Sequence, residues 1–202
     1  TDSLEDVKKK ETNELNSSDN ALLMYTSGTT GKPKGVMLTH DNILNGGKNV
    51  SLSHNLNKLD KVLCVLPLYH INGLIVTVMG PLVSNSSLVL CEKFSATNFW
   101  HQISEFRCTW FSIVPTIVSS LINKYSENEF KLLNTSMVKF GRSASAALAP
   151  ETHKKFEKKF EINLIETMGL TETCAPILSN PMDPSKIKYG SPGIAYGNDV
   201  KI

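Results

Sequence analysis

Short apolar runs alternate with amphipathic helical patterns from residue 21 onward, and this alternation restricts the fold more than any other feature of the chain. Six runs are predicted to form strands, namely Ala21–Thr26, Val62–Leu66, Ser87–Cys91, Thr109–Val114, Met137–Phe140 and Ile162–Thr167. Strands that are buried on both faces and separated by helices are typical of a parallel sheet with helices on both sides. The predicted fold is therefore α/β, with a mostly parallel sheet covered by helices on both faces.

The segments between these runs are predicted to be helices, because they combine capping residues with apolar side chains at helical spacing. The predicted helices are one capped by Thr39, one over residues 71–83 that ends near Gly80, one capped by Ser95, and two that begin at Pro115 and Pro150. The Ser95 helix is expected to turn Phe99, Ile103 and Phe106 inward. The Pro150 helix is expected to bury Phe156 and Phe160 and to leave its histidine and lysines on a solvated face without a chemical role.

Folds of this kind bind ligands in the loops at the carboxyl ends of the strands. By this rule, the loops expected to bind a ligand are those that follow the predicted strands at Thr26, Leu66, Phe140 and Thr167. We therefore expect any functional site to be assembled from these four loops, although they are far apart in the sequence.

Composition excludes several classes of protein. Lysine and arginine together number 21 and aspartate and glutamate 19, and the resulting net charge of +2 argues against nucleic acid as the main partner. The longest nearly apolar stretch, residues 74–83, is too short to span a bilayer, and we expect no signal peptide. Residues 1–20 are polar and charged, so we expect a linker or a poorly ordered edge there.

The four cysteines are Cys64, Cys91, Cys108 and Cys174, and their spacing does not suit a metal site. The first three lie within apolar runs, so buried free thiols are their predicted state. Free thiols in turn favour a reducing, cytoplasmic compartment.

The loop after the first predicted strand, residues 25–35, combines four serine or threonine hydroxyls, three glycines and two lysines. Glycines let backbone N–H groups approach a ligand closely, hydroxyls donate to phosphate oxygens, and ammonium groups neutralise phosphate charge. The loop is predicted to bind a polyphosphate, the alternative being a flexible surface turn. It is not a Walker loop, because the fifth residue after Gly28 is Pro33, and Gly35 follows Gly31 by only four positions.

Four segments resemble, in the expected order, the adenylate-forming enzymes, which include acyl-CoA synthetases, luciferases and the adenylation domains of peptide synthetases. The sequence TSGTTGKPKG, residues 26–35, is similar to the signature loop of that family. Residues 66–70 (LPLYH), 143–148 (SASAAL) and 168–172 (MGLTE) are similar to three further family segments. The resemblance implies that residues 21–202 form the central part of an AMP-binding domain, without the family's small C-terminal domain.

The resemblance also implies the family's reaction, in which a carboxylate attacks ATP to give an acyl-adenylate and pyrophosphate, and a thiol then displaces AMP. It implies a carboxylic acid as the substrate, with ATP, Mg²⁺ and CoA. It implies catalytic roles for Lys34, Thr171, Glu172 and His70, with Glu172 as the magnesium ligand. The implied phosphate contacts are Thr26, Ser27, Gly28, Thr29, Thr30, Gly31, Lys32 and Lys34. The implied nucleotide contacts are Ser145, Ala146, Glu166, Thr167, Met168, Gly169, Leu170 and Thr171.

Two segments depart from the family pattern. Met168 stands where the family usually has an aromatic residue stacked on adenine, and a thioether is expected to cover the ring instead. Ala144 and Ser145 replace paired glycines, so they are expected to narrow the acid pocket and to add a hydroxyl. The acid stays open between a short polar one, such as oxalate, and an aliphatic one of fatty acid metabolism.

Three hypotheses for the function stay open. The leading one is the central part of a carboxylate–CoA ligase. The second is an adenylation domain that loads a carrier protein, and the third is a non-catalytic interaction module that retains the fold. The family's ribose-binding aspartate, hinge and catalytic lysine of the small domain are not recognised here, so the chain alone is expected to bind nucleotide weakly and to be inactive.

Overall fold

The structure is a computed structural model that describes residues 14–26 and 32–201, and its strands form two sheets. The smaller sheet pairs β1 (Asn20–Thr26) with β2 (Lys34–Thr39). The larger sheet contains β3 (Lys61–Cys64), β4 (Ser87–Leu90), β5 (Trp110–Ile113), β6 (Phe140–Ser143), β7 (Leu164–Leu170), β8 (Ala175–Ser179) and β9 (Ile194–Ala195). The strand order of the larger sheet is β4-β3-β5-β6-β7-β8-β9.

The first five strands in that order run parallel to one another, and β8 and β9 extend the sheet in antiparallel orientation. The helices are α1 (His40–Ser53), a π-helix (Asn72–Met79) that continues as α2 (Gly80–Ser84), α3 (Phe99–Phe106), α4 (Pro115–Lys124), α5 (Glu127–Lys131), α6 (Pro150–Phe160) and a short 3-10 helix (Pro184–Lys186). The prediction of a mostly parallel sheet is confirmed.

Neighbouring side chains of the central strands enter two separate cores. Val62 and Trp110 belong to one core, together with residues of α1 and the π-helix. Leu63 and Phe111 belong to the other core, together with residues of α3, α4 and α6. Because successive side chains of a strand point to opposite faces, helices cover both faces of the sheet, as predicted.

The first predicted strand forms, but in a different sheet from the one expected. β1 pairs antiparallel with β2. Leu23 and Tyr25 are exposed, and Met24 is the only residue of β1 that is buried, so the prediction of a strand buried on both faces is wrong. A two-stranded ribbon covers the core with one face only, and Leu38 of β2 packs there in the same core as Val50 of α1.

Two further strand boundaries shift toward the carboxyl end. The predicted strand Met137–Phe140 is wrong in extent, because β6 begins at Phe140 and Met137 is exposed. The loop that follows this strand therefore comes after Ser143. β7 continues to Leu170, since its last residues leave the parallel sheet and pair antiparallel with β8.

The helices after β3 and β4 also differ in detail from the prediction. The buried helix does not end near Gly80; it continues to Ser84, because Pro81 falls in the first turn of α2, where a proline is tolerated. Ser95 does not cap α3; its hydroxyl accepts a hydrogen bond from the backbone N–H of Asn98, the residue just before the helix. Phe106 is exposed at the end of α3, so its predicted inward orientation is wrong.

Helix α6 buries one residue that the sequence placed in solvent. Phe156 and Phe160 are buried as predicted, but His153 is fully buried too. Its ring packs edge-on against Tyr189 with centres 4.7 Å apart, and its Nε2 lies 3.3 Å from a carboxylate oxygen of Glu157. The prediction of a solvated histidine is wrong, because the segment after β8 folds back over α6.

The thiols are as predicted, with one exception in burial. All four cysteines are free, and Cys64, Cys108 and Cys174 are buried, whereas Cys91 is half-buried. Burial raises the pKa of the Cys108 thiol to about 12, which keeps it unreactive. Across residues 14–26 and 32–201, every helix is either too short or too polar to cross a membrane.

Candidate active site

A cavity of about 810 Å³ lies at the carboxyl edge of the larger sheet, next to the antiparallel pair of strands β1 and β2. The residues singled out from the sequence that line it are Thr26, Lys34, His70, Ser145, Gly169, Leu170, Thr171 and Glu172. The loops after β3, β6 and β7 meet there because these strands are parallel and end at the same edge, and the antiparallel β1–β2 pair adds Thr26 and Lys34 from the smaller sheet. Four loops that are distant in sequence therefore contribute to one site.

The two ends of the predicted phosphate loop lie at this cavity. Thr26 ends β1 and Lys34 begins β2, and they are direct partners in the antiparallel ladder. Ser27, Gly28, Thr29, Thr30 and Gly31 lie outside the described residues. Lys34 lines the cavity, whereas Lys32 is exposed and does not line it. The geometry thus separates the two lysines that the sequence offered for phosphate binding.

Thr171 and Glu172 lie in the tight turn between β7 and β8. The hydroxyl of Thr173 accepts a hydrogen bond from the backbone N–H of Leu170 at 3.0 Å, and Cys174 has a positive φ of 53°, so the chain reverses within four residues. Thr171 is half-buried and Glu172 is exposed, and both line the larger cavity.

The donor set at this turn fits Mg²⁺. Within the described ranges, no three or more His, Cys, Asp or Glu side chains are grouped so as to hold a metal ion. Mg²⁺ does not need such a cage, because it keeps several waters and takes one or two carboxylates together with substrate phosphates. The single carboxylate of Glu172 at the cavity rim meets that requirement.

His70 lies in the turn that leads into the π-helix. Its backbone N–H donates to the carbonyl oxygen of Pro67 at 3.1 Å, and its ring centre lies 4.6 Å from that of Tyr69. Gly73 admits no side chain, because a Cβ there would collide with the same Pro67 oxygen. This close approach keeps the turn compact and leaves the exposed His70 on the wall of the cavity.

A smaller cavity of about 280 Å³ shares part of its wall with the larger one. The predicted nucleotide contacts that line it are Ser145, Ala146, Glu166, Thr167, Met168, Gly169 and Leu170. The Met168 side chain is 44% exposed there, so its thioether forms an apolar surface that a planar ring could cover. Ser145, Gly169 and Leu170 line both cavities and so mark their junction.

Two buried polar atoms at the smaller cavity have no hydrogen-bond partner within the described residues. Glu166 is buried, and its Oε1 accepts from the backbone N–H of Leu148 at 3.0 Å, which anchors the segment after β6 to β7. Its Oε2 is left without a partner, as is the buried hydroxyl of Thr167. Orphaned atoms of this kind require an explanation, and a ligand with hydrogen-bond donors supplies one.

Behind the larger cavity, β5, β6 and the π-helix bury a network of polar side chains. Arg142 Nη1 donates to Asn72 Oδ1 at 2.6 Å and to Ser112 Oγ at 2.9 Å. Asn72 Nδ2 donates in turn to Ser145 Oγ at 3.1 Å. Burial lowers the pKa of the Arg142 guanidinium to about 9, so it stays charged at neutral pH.

This network was not predicted from the sequence, and the position predicted for a neighbouring residue, Ala144, is wrong. The available signal was Arg142 itself, since a charged residue in a buried strand needs partners. Ala144 was expected to narrow the acid pocket, but it is buried beneath the cavity wall and its N–H donates to the carbonyl oxygen of Ile113 at 3.2 Å. Ser145, with a positive φ of 72°, is the residue that reaches the cavity.

The parallel sheet with a cavity at its carboxyl edge and the four motif segments around it define the class of adenylate-forming enzymes. The chain belongs to the AMP-binding enzyme family, which matches residues 1–202. It is 50% identical over 182 residues to sulfoacetate–CoA ligase of Cupriavidus necator, covering 90% of this chain and 35% of that enzyme. It is 38% identical over 186 residues to oxalate–CoA ligase of Saccharomyces cerevisiae, covering 92% of this chain and 33% of that enzyme. The chain thus spans about a third of the length of these relatives.

Solved structures agree with this assignment. ATP-bound MatB from Rhodopseudomonas palustris superposes with a TM-score of 0.79 at 30% identity, covering 90% of this chain and 35% of that chain. The o-succinylbenzoate coenzyme A synthetase from Bacillus subtilis, in complex with ATP and magnesium ion, gives 0.78 at 27% identity, covering 91% and 37%. The family and the fold expected from the four motif segments are therefore confirmed.

Proposed function

We propose that the chain is the nucleotide- and acid-binding part of an AMP-forming carboxylate–CoA ligase. A single observation carries the proposal: the larger cavity is lined by Thr26, Lys34, His70, Thr171 and Glu172 together. It gathers a cation, hydroxyl donors, an imidazole and a carboxylate at one edge of the sheet. Relatives that are ligases of sulfoacetate and oxalate support acid activation as the reaction.

In the first half-reaction, an oxygen of the acid attacks the α-phosphorus of ATP, and the bond to the β-phosphate oxygen breaks as pyrophosphate leaves. Lys34 and the loop that begins at Thr26 neutralise and hold the leaving phosphates, and Thr171 donates to the α-phosphate. His70 orients the attacking carboxylate. Catalysis of this kind consists mainly of positioning and of stabilising charge on phosphate oxygens.

Glu172 would hold Mg²⁺, which when bound supplies neutralisation of the phosphate charge. The nucleoside is proposed to lie in the smaller cavity, with the Met168 thioether against the base and Ser145, Ala146, Glu166 and Thr167 along its edge. The two orphaned buried atoms there, Glu166 Oε2 and the Thr167 hydroxyl, support this placement.

In the second half-reaction, the thiol of CoA forms a thioester with the acyl carbon, and AMP leaves with the oxygen that joined it to the acid. We propose that the chain binds nucleotide weakly by itself and needs the remaining segments of a full-length ligase to finish either step. We also propose that it works in a reducing, cytoplasmic compartment, in keeping with its four free thiols.

The test has two arms. Titration of the chain with Mg-ATP tests the nucleotide site, and we expect saturable binding that is lost in the Glu172→Ala, Lys34→Ala double variant. A panel of short diacids and aliphatic acids on the full-length ligase tests the reaction, and we expect acid-dependent release of pyrophosphate. Absence of both binding and release would favour the non-catalytic module. Release followed by transfer to a carrier protein instead of CoA would favour the adenylation domain.

A further inference from the structure

The buried guanidinium of Arg142 has no carboxylate partner within the described residues. Its only hydrogen-bond acceptors there are two neutral oxygens, Asn72 Oδ1 and Ser112 Oγ, and its Nε has no partner. A buried charge without a counter-ion is costly, so a chain that retains one gains something from its field. That field is weakly screened in the interior and extends toward the larger cavity, which Asn72 lines.

The guanidinium fixes which way the Asn72 amide points. Arginine only donates, and the Ser112 hydroxyl also donates to Asn72 Oδ1, at 3.1 Å. The oxygen of the amide must therefore face Arg142 and Ser112, because the flipped amide would set donors against donors. The Nδ2 group is thereby directed to Ser145, a residue of the cavity wall, as an obligatory donor.

Ser145 extends this polarity to the junction of the two cavities. Its Oγ accepts a hydrogen bond from Asn72 Nδ2 at 3.1 Å, and its own hydroxyl proton has no acceptor within the described residues. The proton of that hydroxyl is free to be donated to a ligand. The wall at this point therefore offers the Ser145 hydroxyl proton to a ligand, with the positive charge of Arg142 behind it.

We infer that Asn72 and Ser145 select acids whose short tail ends in a second hydrogen-bond acceptor, such as a carboxylate or sulfonate, and that Arg142 positions them for it. This inference rests on the proposed function and names the class of acid that the function leaves open. Ser145 is exposed, so an aliphatic tail of the same size would displace water from its hydroxyl without supplying a new acceptor, and the loss of that hydrogen bond discriminates between ligands.

The sharpest test is Asn72→Asp in the full-length ligase, because the change preserves shape. The new carboxylate pairs with Arg142, and its second oxygen accepts the Ser145 hydroxyl proton. The Ser145 hydroxyl then no longer donates a hydrogen bond to a bound acid. Two pairs of isosteric acids serve as probes: oxalate against isobutyrate, and malonate against isovalerate. We expect kcat/KM for the diacids to fall at least about tenfold, chiefly through KM, and the isosteres to change less than about threefold.

Ser145→Ala is expected to lower kcat/KM for the diacids by about threefold to tenfold, again without affecting the isosteres. Asn98→Asp, the same change at an exposed position outside both cavities, is expected to leave all four acids unaffected. Arg142→Lys is expected to retain more of the selectivity than Arg142→Met, among variants whose thermal unfolding shows that they fold. A purely structural role would not produce that graded rescue.

The outcomes separate this inference from the proposed function. Release of pyrophosphate by the wild type with a preference for diacids, lost in Asn72→Asp, supports both. Release without that preference, or a preference that Asn72→Asp leaves intact, overturns the inference alone. Absence of release with every acid overturns the proposed function and this inference with it.

Discussion

Strands β5 and β6 have a polar cluster near each end, and the two clusters differ in how many of their hydrogen-bonding groups have partners. The amino-end cluster consists of Asp60, Thr109 and Lys139, the residues just before β3, β5 and β6. Asp60 Oδ1 accepts from the Thr109 hydroxyl at 2.9 Å and from Lys139 Nζ at 2.7 Å, and Oδ2 accepts from the backbone N–H of Asn57 at 2.9 Å. Both oxygens of the buried carboxylate are therefore occupied.

The carboxyl-end cluster consists of Asn72, Ser112, Arg142 and Ser145. It has a buried guanidinium with no carboxylate partner within the described residues and with an unpartnered Nε, and its Ser145 hydroxyl lines a cavity. The comparison shows how one sheet separates two tasks. A closed network stabilises the fold at the amino end, while an open one at the carboxyl end is left for a ligand to complete.

The largest expected effect concerns Lys34, which lines the larger cavity at the carboxyl edge, and it tests the proposed role of this cavity in catalysis. Lys34→Ala in the full-length ligase is expected to slow adenylation about 100- to 1,000-fold, since a donor to developing phosphate charge contributes about 2.7–4 kcal/mol. Lys32→Ala is the matched control and should stay close to the wild type, because Lys32 does not line the cavity. Pyrophosphate release measures both. Equal, near-native rates for the two variants would refute the role of Lys34.

The amino-end cluster is expected to affect stability and leave the choice of acid unchanged. Asp60→Ala removes a buried carboxylate with three hydrogen bonds, and we expect the free energy of unfolding to fall by about 3 kcal/mol. Part of the loss is recovered, because the Lys139 side chain is 49% exposed and regains water. Chemical denaturation followed by tryptophan fluorescence measures the change.

Asp183→Ala provides the control for that experiment. Asp183 also pairs with a lysine, Lys186, but on the surface, where ion pairs contribute little. We expect a much smaller change than for Asp60→Ala. A comparable loss in the two variants would mean that the amino-end cluster has no special structural role.

The buried imidazole of His54 is expected to make the free energy of unfolding depend on pH. Burial, and then the charge of Arg142, lower the pKa of its imidazole from 6.5 to about 3, although its contact with the Val50 carbonyl acts in the opposite direction. Its ring centre lies 5.9 Å from that of Trp110 and 5.3 Å from that of Phe140. The folded state therefore contains the neutral ring.

The imidazole of His54 takes up a proton at a higher pH in the unfolded chain than in the folded chain. The contribution of His54 to the free energy of unfolding is therefore fully present above pH 6.5 and is lost as the pH falls toward 3. The expected slope is about 1.4 kcal/mol per pH unit in that window. His54→Phe should flatten it, whereas His101→Phe, at an exposed histidine, should not. Denaturation curves between pH 7 and 4 measure the slope, and an unchanged slope in His54→Phe would contradict the assignment.

The smallest expected effect concerns the smaller cavity, in which the nucleoside is proposed to lie. Met168→Tyr is expected to tighten Mg-ATP binding severalfold, because an aromatic ring stacked on the base adds about 0.5–1.5 kcal/mol. Met137→Tyr is a matched control, since Met137 is similarly exposed, at 42% against 44%, and lines neither cavity. Calorimetric titration distinguishes them. An equal gain at both positions would show that Met168 does not face the base.

Much of the site followed from the sequence, because its residues sit where strands end. His70 and Glu172 were expected in separate loops of a parallel sheet, and the topology brings them to one cavity, which Lys34 reaches from the separate β1–β2 sheet. Their roles in catalysis stay predictions. Residues 27–31, the centre of the signature loop, lie outside the described residues.

The errors share a physical cause, which is that local pattern carries no information about distant partners. β1 was expected in the larger sheet, because an apolar run shows burial but not which strand pairs with it. His153 was expected in solvent, because the residue that covers it, Tyr189, is 36 positions further along the chain. Ala144 and Ser145 were treated alike, because the sequence does not show that Ser145 turns outward with a positive φ.

The sequence by itself determined the fold class, since the alternation of neighbours such as Val62 and Leu63 between two cores follows from the two-residue period of a strand. It also determined the family, because the motif segments occur in order. Only the tertiary structure decided that Arg142 orients Asn72 toward Ser145, through contacts between residues 70 and 73 positions apart. Hydrogen bonds act over about 3 Å and require a fixed direction, so they are set by how the strands and the helix pack and not by any local pattern.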